Sequence, residues 1–523
     1  LAETIGLFTV IFLLIFFNSV RLIYMVRPAE LLKGGQIGEK MPKTKWPLAV
    51  LGIVTLAGGY ILALKADNVM TGLNTFFVAV LLVIVGTFSL FMAGSIAFLK
   101  LLQKNKRYYY KTNHFISVSG MIYRMKQNAA SLSLICIMST GVLLLISSTT
   151  SLYVGQEHSL YMHYPKEFRI SLSLGTEPDD SAQFEKELKE IGTYAENYLK
   201  DNKIATQNAA GQTVIEAAAL QKDGNVQITS SRNGSSEDFS DLCMVQAITL
   251  EDYNREAKKD ETLEDREALV FFEDSPIQQE TFSINDMHWK VRQLSADSTM
   301  EDSGLKFYVT PVYRIVVKDF AQLQEIWKIN KEAYGDHASQ VKYEYSFDVD
   351  FPEEKIQKLT SSLHAYLGEQ KDAPHAFVYG IENRTEGRAE FYSLYGGLFF
   401  LGIFLGLLFV MATVLIIYYK QISEGYEDKE RFAILKKIGM ERGEINASIH
   451  SQVLMVFFLP LVLAGIHSCF AFHLVKEILM GGFGLWDVKL LVLSAVLTFL
   501  AFAVFYVIVY LLTAREYYKI VSE

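Results

Sequence analysis

Seven long apolar segments divide this sequence, and they constrain its fold more than any other feature. The segments are Ile5–Val26, Pro47–Leu64, Thr75–Leu102, Ala129–Thr149, Phe391–Tyr419, Ile445–Val475 and Leu490–Thr513. Each is long enough for an α-helix to cross a hydrocarbon core of about 30 Å. Half of the 523 residues are hydrophobic, so a soluble multidomain enzyme fits poorly. The sequence therefore predicts a polytopic α-helical membrane protein with seven spans.

A long polar segment separates the fourth apolar run from the fifth. Within Tyr153–Glu390, the stretches Asp180–Lys203 and Glu353–Gln370 place apolar residues on one helical face. Leu305–Phe320 and Ala268–Phe272 are rich in β-branched and aromatic residues, which favour strands. The sequence therefore predicts a large α+β domain at 153–390, inserted between two spans.

Charge predicts the orientation of the spans. Val154–Glu390 contains 44 acidic and 25 basic residues, a net charge of −19, whereas the remaining residues sum to +10. Basic residues crowd Arg27–Lys45, Lys100–Lys126 and Lys420–Glu444, and such loops lie on the cytoplasmic side of a membrane. We therefore predict an extracellular α+β domain and a cytoplasmic C-terminus. The acidic surface would either attract cationic peptides or serve solubility alone.

The same alternation places Leu1 outside the cell. The sequence begins there without Met and without the pattern of a signal peptide. We therefore expect a fragment that lacks upstream spans. The alternative is that the first run is an uncleaved anchor, inserted with its N-terminus outside.

Motifs for catalysis, metal binding and nucleotide binding are missing. The sequence has no H-E-x-x-H, no C-x-x-C and no G-x-x-x-x-G-K-[ST]. We therefore expect no catalytic residue, no bound metal and no cofactor of its own, so that ATP would be bound by a partner. Cys243 is the one cysteine of the α+β domain, which excludes a disulfide within that domain. We expect Cys243 to be buried and unreactive.

A basic, aromatic segment precedes the fourth span. Residues 103–128 place apolar side chains at approximately helical spacing, namely Phe115, Val118, Met121, Ile122 and Met125. This pattern favours a helix in the headgroup plane, with Arg124 and Lys126 at the interface. The alternative is an ordinary cytoplasmic loop.

A short amphipathic helix is predicted after the fifth span, at 426–439. Its apolar face consists of Phe432, Leu435 and Ile438. Lys436 lies near the C-terminus, where a cation complements the helix dipole, and Gly439 suits the left-handed position that ends a helix. Nearby acidic residues nearly cancel the bases, so attraction to anionic lipid would be weak. These features favour docking into a protein groove over a helix that rests on headgroups.

Small and polar residues interrupt two of the apolar runs. Gly402 and Gly406 form a G-x-x-x-G pair, which allows close helix packing, although such pairs also arise by chance in helices that face lipid. His467 and Ser468 are expected to face the bundle interior. His467 is interpreted as a hydrogen-bonded packing residue, with a proton relay as the alternative.

The stretch KERFAILKKIGMERGEI, at Lys429–Ile445, resembles the cytoplasmic loop of FtsX-like ABC-transporter permeases. In that family a basic residue, apolar positions and a terminal Ile-Gly form the helix that couples to the ATPase. The resemblance implies ATPase-coupling roles for Arg431, Phe432, Leu435, Lys436, Ile438 and Gly439. RPAELLK at Arg27–Lys33 resembles the end of one FtsX-like unit, and FFLPLVLAGIHSCFAF at Phe457–Phe472 is similar to the Bce-type (bacitracin-resistance) peptide permeases.

The Bce-type arrangement has two FtsX-like units joined by a hairpin, with the large domain in the second unit. The resemblance divides the sequence into 1–26 (last span of the first unit), 27–45 (cytoplasmic linker), 46–102 (two-span hairpin), 103–128 (basic interfacial helix), 129–152 (first span of the second unit), 153–390 (extracellular domain) and 391–523 (last three spans, with the coupling helix 426–439). The full protein would then have ten spans.

The resemblance implies the permease subunit of an ABC transporter in a bacterial plasma membrane. It would confer resistance to antimicrobial peptides that target the cell wall, and sense them, with the extracellular domain engaging the peptide or a peptide–lipid complex. Expected partners are a cytoplasmic ATPase dimer and a membrane sensor histidine kinase, but no nucleic acid. The alternatives are an FtsX-like mechanotransmitter that regulates a cell-wall hydrolase, and a permease that exports lipoproteins or macrolides. The hairpin 46–102 speaks against both, because one-unit relatives lack it.

Overall fold

The structure is a computed structural model of the chain. It describes residues 2–25, 45–66, 69–109, 112–222, 224–230, 241–272, 275–292, 310–370, 375–437, 442–485 and 487–522. The helices are α1 (Ala2–Met25), α2 (Trp46–Leu64), α3 (Val69–Ser89), α4 (Ser95–Lys104), α5 (Lys106–Tyr109), α6 (Thr112–His163), α7 (Ser181–Asp201), α8 (Leu250–Ala257), α9 (Phe320–Tyr334), α10 (Glu353–Glu369), α11 (Arg384–Lys437), α12 (Arg442–Phe483) and α13 (Val488–Ser522). A π-helical turn, Leu90–Gly94, joins α3 to α4.

Among the described residues, seven helices are long and apolar enough to cross a membrane. Their apolar stretches are Thr4–Arg21, Trp46–Leu64, Thr71–Lys104, Asn128–His163, Arg384–Lys429, Phe457–Phe483 and Val488–Val521. All seven overlap the apolar runs found in the sequence, so the prediction of seven apolar helices is confirmed. α6 runs through the middle of the bundle, where it contacts α11, α12 and α13.

α6 and α11 are longer than the sequence patterns predicted. α6 has 52 residues and α11 has 54. From Thr112 onward, the segment predicted as a separate interfacial helix is continuous with the fourth span. The predicted coupling helix is not separate either. As far as Lys437 it forms the C-terminal end of α11, the helix of the fifth span. The reason is that neither helix contains proline, and a change from apolar to polar composition does not by itself end a helix.

The domain between α6 and α11, here called the sheet domain (residues 164–383), is built on one large sheet. Its strands are β1 (Phe168–Leu174), β2 (Gln207–Lys222), β3 (Asn225–Gln227), β4 (Leu242–Thr249), β5 (Glu267–Phe272), β6 (Ser275–Pro276), β7 (Thr281–Ile284), β8 (Met287–Val291), β9 (Val312–Val317), β10 (Lys342–Asp348) and β11 (Phe377–Asn383). The prediction of a separate α+β domain is confirmed.

The sheet has two parts that share the long strand β2. The first half of β2 pairs with β10, which continues through β1 to β11. The second half pairs with β4 and β3, and the path β2–β3–β7–β8–β5–β9–β4 returns to β2. Val214 is the point of exchange, because it lies opposite Lys342 on β10 and Ile248 on β4. A closed ring of strands therefore stands beside a short open sheet.

The helices of the sheet domain follow the sequence patterns closely. α7 begins after Asp180, whose carboxylate accepts from the backbone N of Gln183 at 2.8 Å, as expected of an N-cap. Both predicted amphipathic helices are confirmed, and so is the strand predicted at Ala268–Phe272. The strand predicted at Leu305–Phe320 is shorter: β9 covers Val312–Val317, because Asp319 caps α9 by accepting from the backbone N of Gln322 at 3.1 Å. Residues 301–309 lie outside the described part.

Cys243 is buried on β4, and we expect it to react slowly. Its side chain is 2% exposed, and burial raises the pKa of the thiol to about 12. At pH 8 the thiolate fraction would be about 10⁻⁴. It would rise tenfold with each added unit of pH, as long as the pH stays below the pKa. N-ethylmaleimide should therefore label Cys243 in the folded protein at least about a hundredfold more slowly than after denaturation. Mass spectrometry of the Cys243 peptide measures this, and equal rates would contradict it.

Candidate functional site at the base of the sheet domain

The sheet domain is attached to the helical bundle through two adjacent strands. α6 ends at His163 and β1 begins at Phe168, whereas β11 ends at Asn383 and α11 begins at the next residue, Arg384. β1 and β11 pair antiparallel, with Phe168 opposite Asn383. The chain therefore enters and leaves the sheet domain at one place, and a displacement of the domain acts on α6 and α11 together.

Arg384 holds this junction together. Its Nε donates to the carbonyl oxygen of Tyr164 at 2.8 Å, and its Nη2 donates to that of Pro165 at 2.6 Å. The guanidinium also lies over Tyr161, with Cζ 4.4 Å from the ring centroid. Because a planar guanidinium can stack and donate in several directions at once, Arg384 joins the start of α11 to the end of α6.

Two carboxylates complete the junction. Glu167 accepts from the backbone N and the hydroxyl of Thr385, at 3.1 and 2.7 Å. Asp348, on β10, accepts from the backbone N of Glu167 at 2.9 Å. Arg384 lies 3.7 Å from the Glu167 carboxylate and 3.8 Å from that of Asp348. These charges bridge the α6–β1 connection, β10 and the first turn of α11.

Gly387, in the first turn of α11, lies close to Tyr164 in the α6–β1 connection. A Cβ atom there would lie 2.3 Å from the ring of Tyr164, so a larger residue would displace the ring. Burial, with the charges of Glu382 and Glu390 nearby, raises the pKa of the Tyr164 phenol. The close contact of Gly387 with the Tyr164 ring makes the junction tightly packed on this side.

A cleft of about 480 Å³ opens beside the junction, between the sheet domain and the adjoining ends of α6 and α11. Charged, aromatic and aliphatic side chains share its lining, among them Tyr161, Glu167, Phe351, Glu353, Arg388 and Tyr392. Arg388 lies 3.4 Å from Glu157, and its Nε has no hydrogen-bond partner among the described residues. This combination suits an amphipathic ligand with a polar group. Sequence patterns did not single out these residues.

Gly402 and Gly406 lie where α11 packs against α6. A Cβ atom on Gly402 would be 2.3 Å from Oγ1 of Thr149, and one on Gly406 would be 2.9 Å from the side chain of Ile146. The two helix backbones can approach this closely because both positions lack a side chain. The glycine pair therefore sets the spacing of the two helices that carry the sheet domain.

His467 joins α12 to the hairpin α2–α3. Its Nδ1 lies 2.6 Å from the Tyr60 hydroxyl, and its Nε2 lies 3.0 Å from the Thr87 hydroxyl. The Thr87 hydroxyl already donates to the carbonyl oxygen of Val83 at 2.6 Å, so it accepts from Nε2–H, and Nδ1 accepts from Tyr60. Both ring nitrogens of a neutral imidazole are thus satisfied. Ser468 donates to the carbonyl oxygen of Ala464 within α12 at 2.9 Å.

For the remaining predicted site residues, the structure describes either the backbone alone or nothing. Arg431, Phe432, Leu435 and Lys436 belong to the backbone of α11, but their side chains are not among those described, and Ile438 and Gly439 are outside altogether. Arg124 and Lys126 belong to the backbone of α6, and their side chains are likewise outside the description. Their coupling and interfacial roles stay predictions.

Comparison with known proteins identifies the C-terminal part of the chain. Residues 399–521 match the model of the FtsX-like permease C-terminal domain. This segment includes most of α11, all of α12 and nearly all of α13, together with both glycines, His467 and the predicted coupling residues.

Longer similarities extend over most of the chain. The chain is 26% identical to the ABC transporter permease protein YxdM of Bacillus subtilis, in an alignment of 475 positions that covers 88% of this chain and 67% of YxdM. It is 24% identical to the bacitracin export permease protein BceB of Halalkalibacterium halodurans over 80% of this chain and 61% of BceB. BceB of Bacillus subtilis is also 24% identical, over 81% of this chain and 62% of that protein. The chain thus spans about two thirds of the length of these relatives; its C-terminal part is an FtsX-like permease domain, and most of its length is similar to the permeases named above.

Proposed function

We propose that this chain is the permease subunit of a transporter that protects a Gram-positive bacterium from antimicrobial peptides directed at the cell wall, and that senses them. A separate cytoplasmic ATPase dimer would supply the energy. The sheet domain would lie outside the cell and engage the peptide or its complex with a membrane lipid. The names of the BceB relatives, which are bacitracin export permeases, support a peptide as the substrate class.

One observation carries the proposal: α11 runs without a break from the base of the sheet domain to the predicted coupling segment. It begins at Arg384 and reaches Lys437, a length of about 80 Å. A membrane core of about 30 Å takes up about 20 residues of it, so the helix extends beyond the membrane on both sides. A continuous helix of this kind would pass a displacement from a motor on one side to a receptor on the other.

Electrostatics favours capture of a cationic ligand. The net charge of −19 over Val154–Glu390 would raise the local concentration of cationic peptides, and added salt would weaken this attraction. The cleft at the base of the sheet domain offers a place where a captured ligand would touch α6 and α11 directly. A membrane sensor histidine kinase would respond to the same movement of these helices.

The coupling segment provides the test. Phe432→Asp and Leu435→Asp each place a charge on the predicted docking face, whose burial in a protein groove would cost several kcal/mol. We expect both variants to insert into the membrane but to lose co-purification with the ATPase. A sensitive Bacillus host that expresses the transporter should then lose its resistance to bacitracin.

Tyr426→Asp serves as the matched control, because Tyr426 is exposed on the same helix and lies on the side opposite Leu435, the middle residue of the apolar face. This variant should retain both co-purification and resistance. If Phe432→Asp and Leu435→Asp also retain both, the docking role is refuted. If the wild-type chain co-purifies with an ATPase but gives no resistance to peptides, the assignment as a transporter subunit is supported and the proposed substrate class is wrong.

A further inference from the structure

Two acidic side chains are buried in the bundle at the end that lies far from the sheet domain, here called the distal end. Glu424 and Asp428 are each 5% exposed and lie one turn apart on the same face of α11. Because each residue of a helix adds 1.5 Å, Glu424 is about 60 Å from Arg384. Asp428 comes three residues before Arg431, where the predicted coupling residues begin.

Each carboxylate is held by a different neighbouring helix. Asp428 accepts a hydrogen bond from the hydroxyl of Tyr517, on α13, at 2.6 Å. Glu424 accepts one from the side-chain amide of Asn128, on α6. Both donors are buried, since Tyr517 is 0% exposed and Asn128 is 1% exposed. The distal end of α11 is thus tied to α6 at one turn and to α13 at the next.

Such bonds are stronger and more directional than packing contacts. A carboxylate that is buried beside an apolar bundle is costly unless donors hold it, and hydrogen bonds to a charged acceptor are short and comparatively strong. Leucine or valine at positions 424 and 428 would pack three helices together but would let them slide. Carboxylates instead fix the rotation of α11 relative to α6 and α13, and Asp428 does so less than one turn before Arg431, the first predicted coupling residue.

We propose that Glu424 and Asp428 are positioning residues that distribute the movement of the coupling segment: Asp428 passes it to α13 through Tyr517, and Glu424 passes it to α6 through Asn128. The proposal rests on the coupling role proposed above for the residues that follow. Since α6 and α11 both end at the base of the sheet domain, the Glu424 contact makes the two helices move as a pair. The Asp428 contact recruits the last span to the same movement.

The test compares hydrogen exchange in the permease–ATPase complex with ADP and with ATP plus vanadate. In the wild-type complex, we expect the nucleotides to change exchange at the distal ends of both α6 and α13. Tyr517→Phe removes one hydroxyl and should reduce the response of α13 about tenfold, as expected for one hydrogen bond to a charged group, while α6 still responds. Asn128→Leu should show the reverse pattern, so each variant controls for the other.

Tyr510→Phe is the matched control for loss of a buried tyrosine hydroxyl from α13. Tyr510 is 6% exposed and packs on the ring of Phe457, with centroids 5.0 Å apart, and this variant should respond as the wild type does. If Tyr517→Phe and Asn128→Leu leave both responses unchanged in a complex that still contains ATPase, the positioning roles are overturned and the coupling role survives. If the wild-type chain binds no ATPase, the coupling role fails, and the positioning roles fail with it.

Discussion

Arg384→Ala is expected to separate the sheet domain from the helical bundle. The substitution removes two charge-assisted hydrogen bonds to the carbonyls of Tyr164 and Pro165. It also leaves Glu167 and Asp348 close together without their shared cation. Loss of one partner from a buried charged cluster costs about 3–5 kcal/mol. Because Asp348 is a quarter exposed and Lys166 lies 3.9 Å from it, we expect about 2–4 kcal/mol here.

Backbone exchange at the junction measures this effect locally. In Arg384→Ala, amide hydrogens near Phe168 and Asn383 should exchange much faster than in the wild type, while those in the ring of strands keep their rates. Arg384→Lys should give an intermediate result, because an ammonium keeps the charge but cannot make the same set of contacts.

Arg388→Ala is the control on the next turn. Arg388 is 42% exposed and pairs with the half-exposed Glu157, so its loss should cost less than about 1 kcal/mol. Equal effects of the two alanine variants would contradict the role assigned to Arg384.

Gly402→Ala is expected to push α6 and α11 apart. The new Cβ atom would lie 2.3 Å from Oγ1, 2.6 Å from Cγ2 and 2.8 Å from Cβ of Thr149. Thr149 is β-branched and stiff at χ1, so the clash is relieved mainly by moving the helix backbones. Overpacking of this kind costs about 1–3 kcal/mol. Thermal unfolding in detergent should show a lower midpoint for this variant, and transport should fall with it.

The same helix supplies the controls for this prediction. A Cβ atom on Gly397 would meet nothing within 4 Å, so Gly397→Ala should stabilise α11 by up to about 1 kcal/mol through helix propensity alone. The unfolding midpoint of Gly406→Ala should lie between those of Gly402→Ala and Gly397→Ala, because its new Cβ atom meets the flexible end of the Ile146 side chain. Adding Thr149→Ala to Gly402→Ala removes two of the three clashing atoms and should recover part of the stability. A midpoint for Gly402→Ala as high as that for Gly397→Ala would show that the helices are not in contact there.

The helical part of the fold could be predicted from the sequence because length and hydropathy determine it. Each apolar run predicted one helical span, and all seven are present, the third as α3 and α4 joined by the π-helical turn Leu90–Gly94. The ends of α6 and α11 could not be predicted in this way. At Asn128 and at Lys420 the composition changes from apolar to polar, but the backbone continues as a helix because no proline interrupts it. Composition indicates where a helix meets lipid, not where the helix ends.

The candidate site was harder to predict, because its residues come from distant parts of the chain. Arg384 and Glu167 are more than two hundred residues apart, and nothing in either local sequence distinguishes them from ordinary charged residues of the acidic domain. The partners of His467 are a different case. Tyr60 and Thr87 are polar residues within apolar runs, and this signal, which drew attention to His467, applied to them as well. Glu424 and Asp428 lie in the charged stretch after the fifth apolar run, where no local pattern marks them as interior, although both are buried.

The shared strand β2 has a consequence for how new specificities could arise. Its first half belongs to the open sheet that contains the junction, and its second half belongs to the closed ring. Loops that emerge from the ring can therefore be lengthened, shortened or exchanged without rebuilding the strands beside Arg384. A protein engineer could graft a different ring of strands after Val214 and keep the junction at Arg384 and the helices α6 and α11 unchanged.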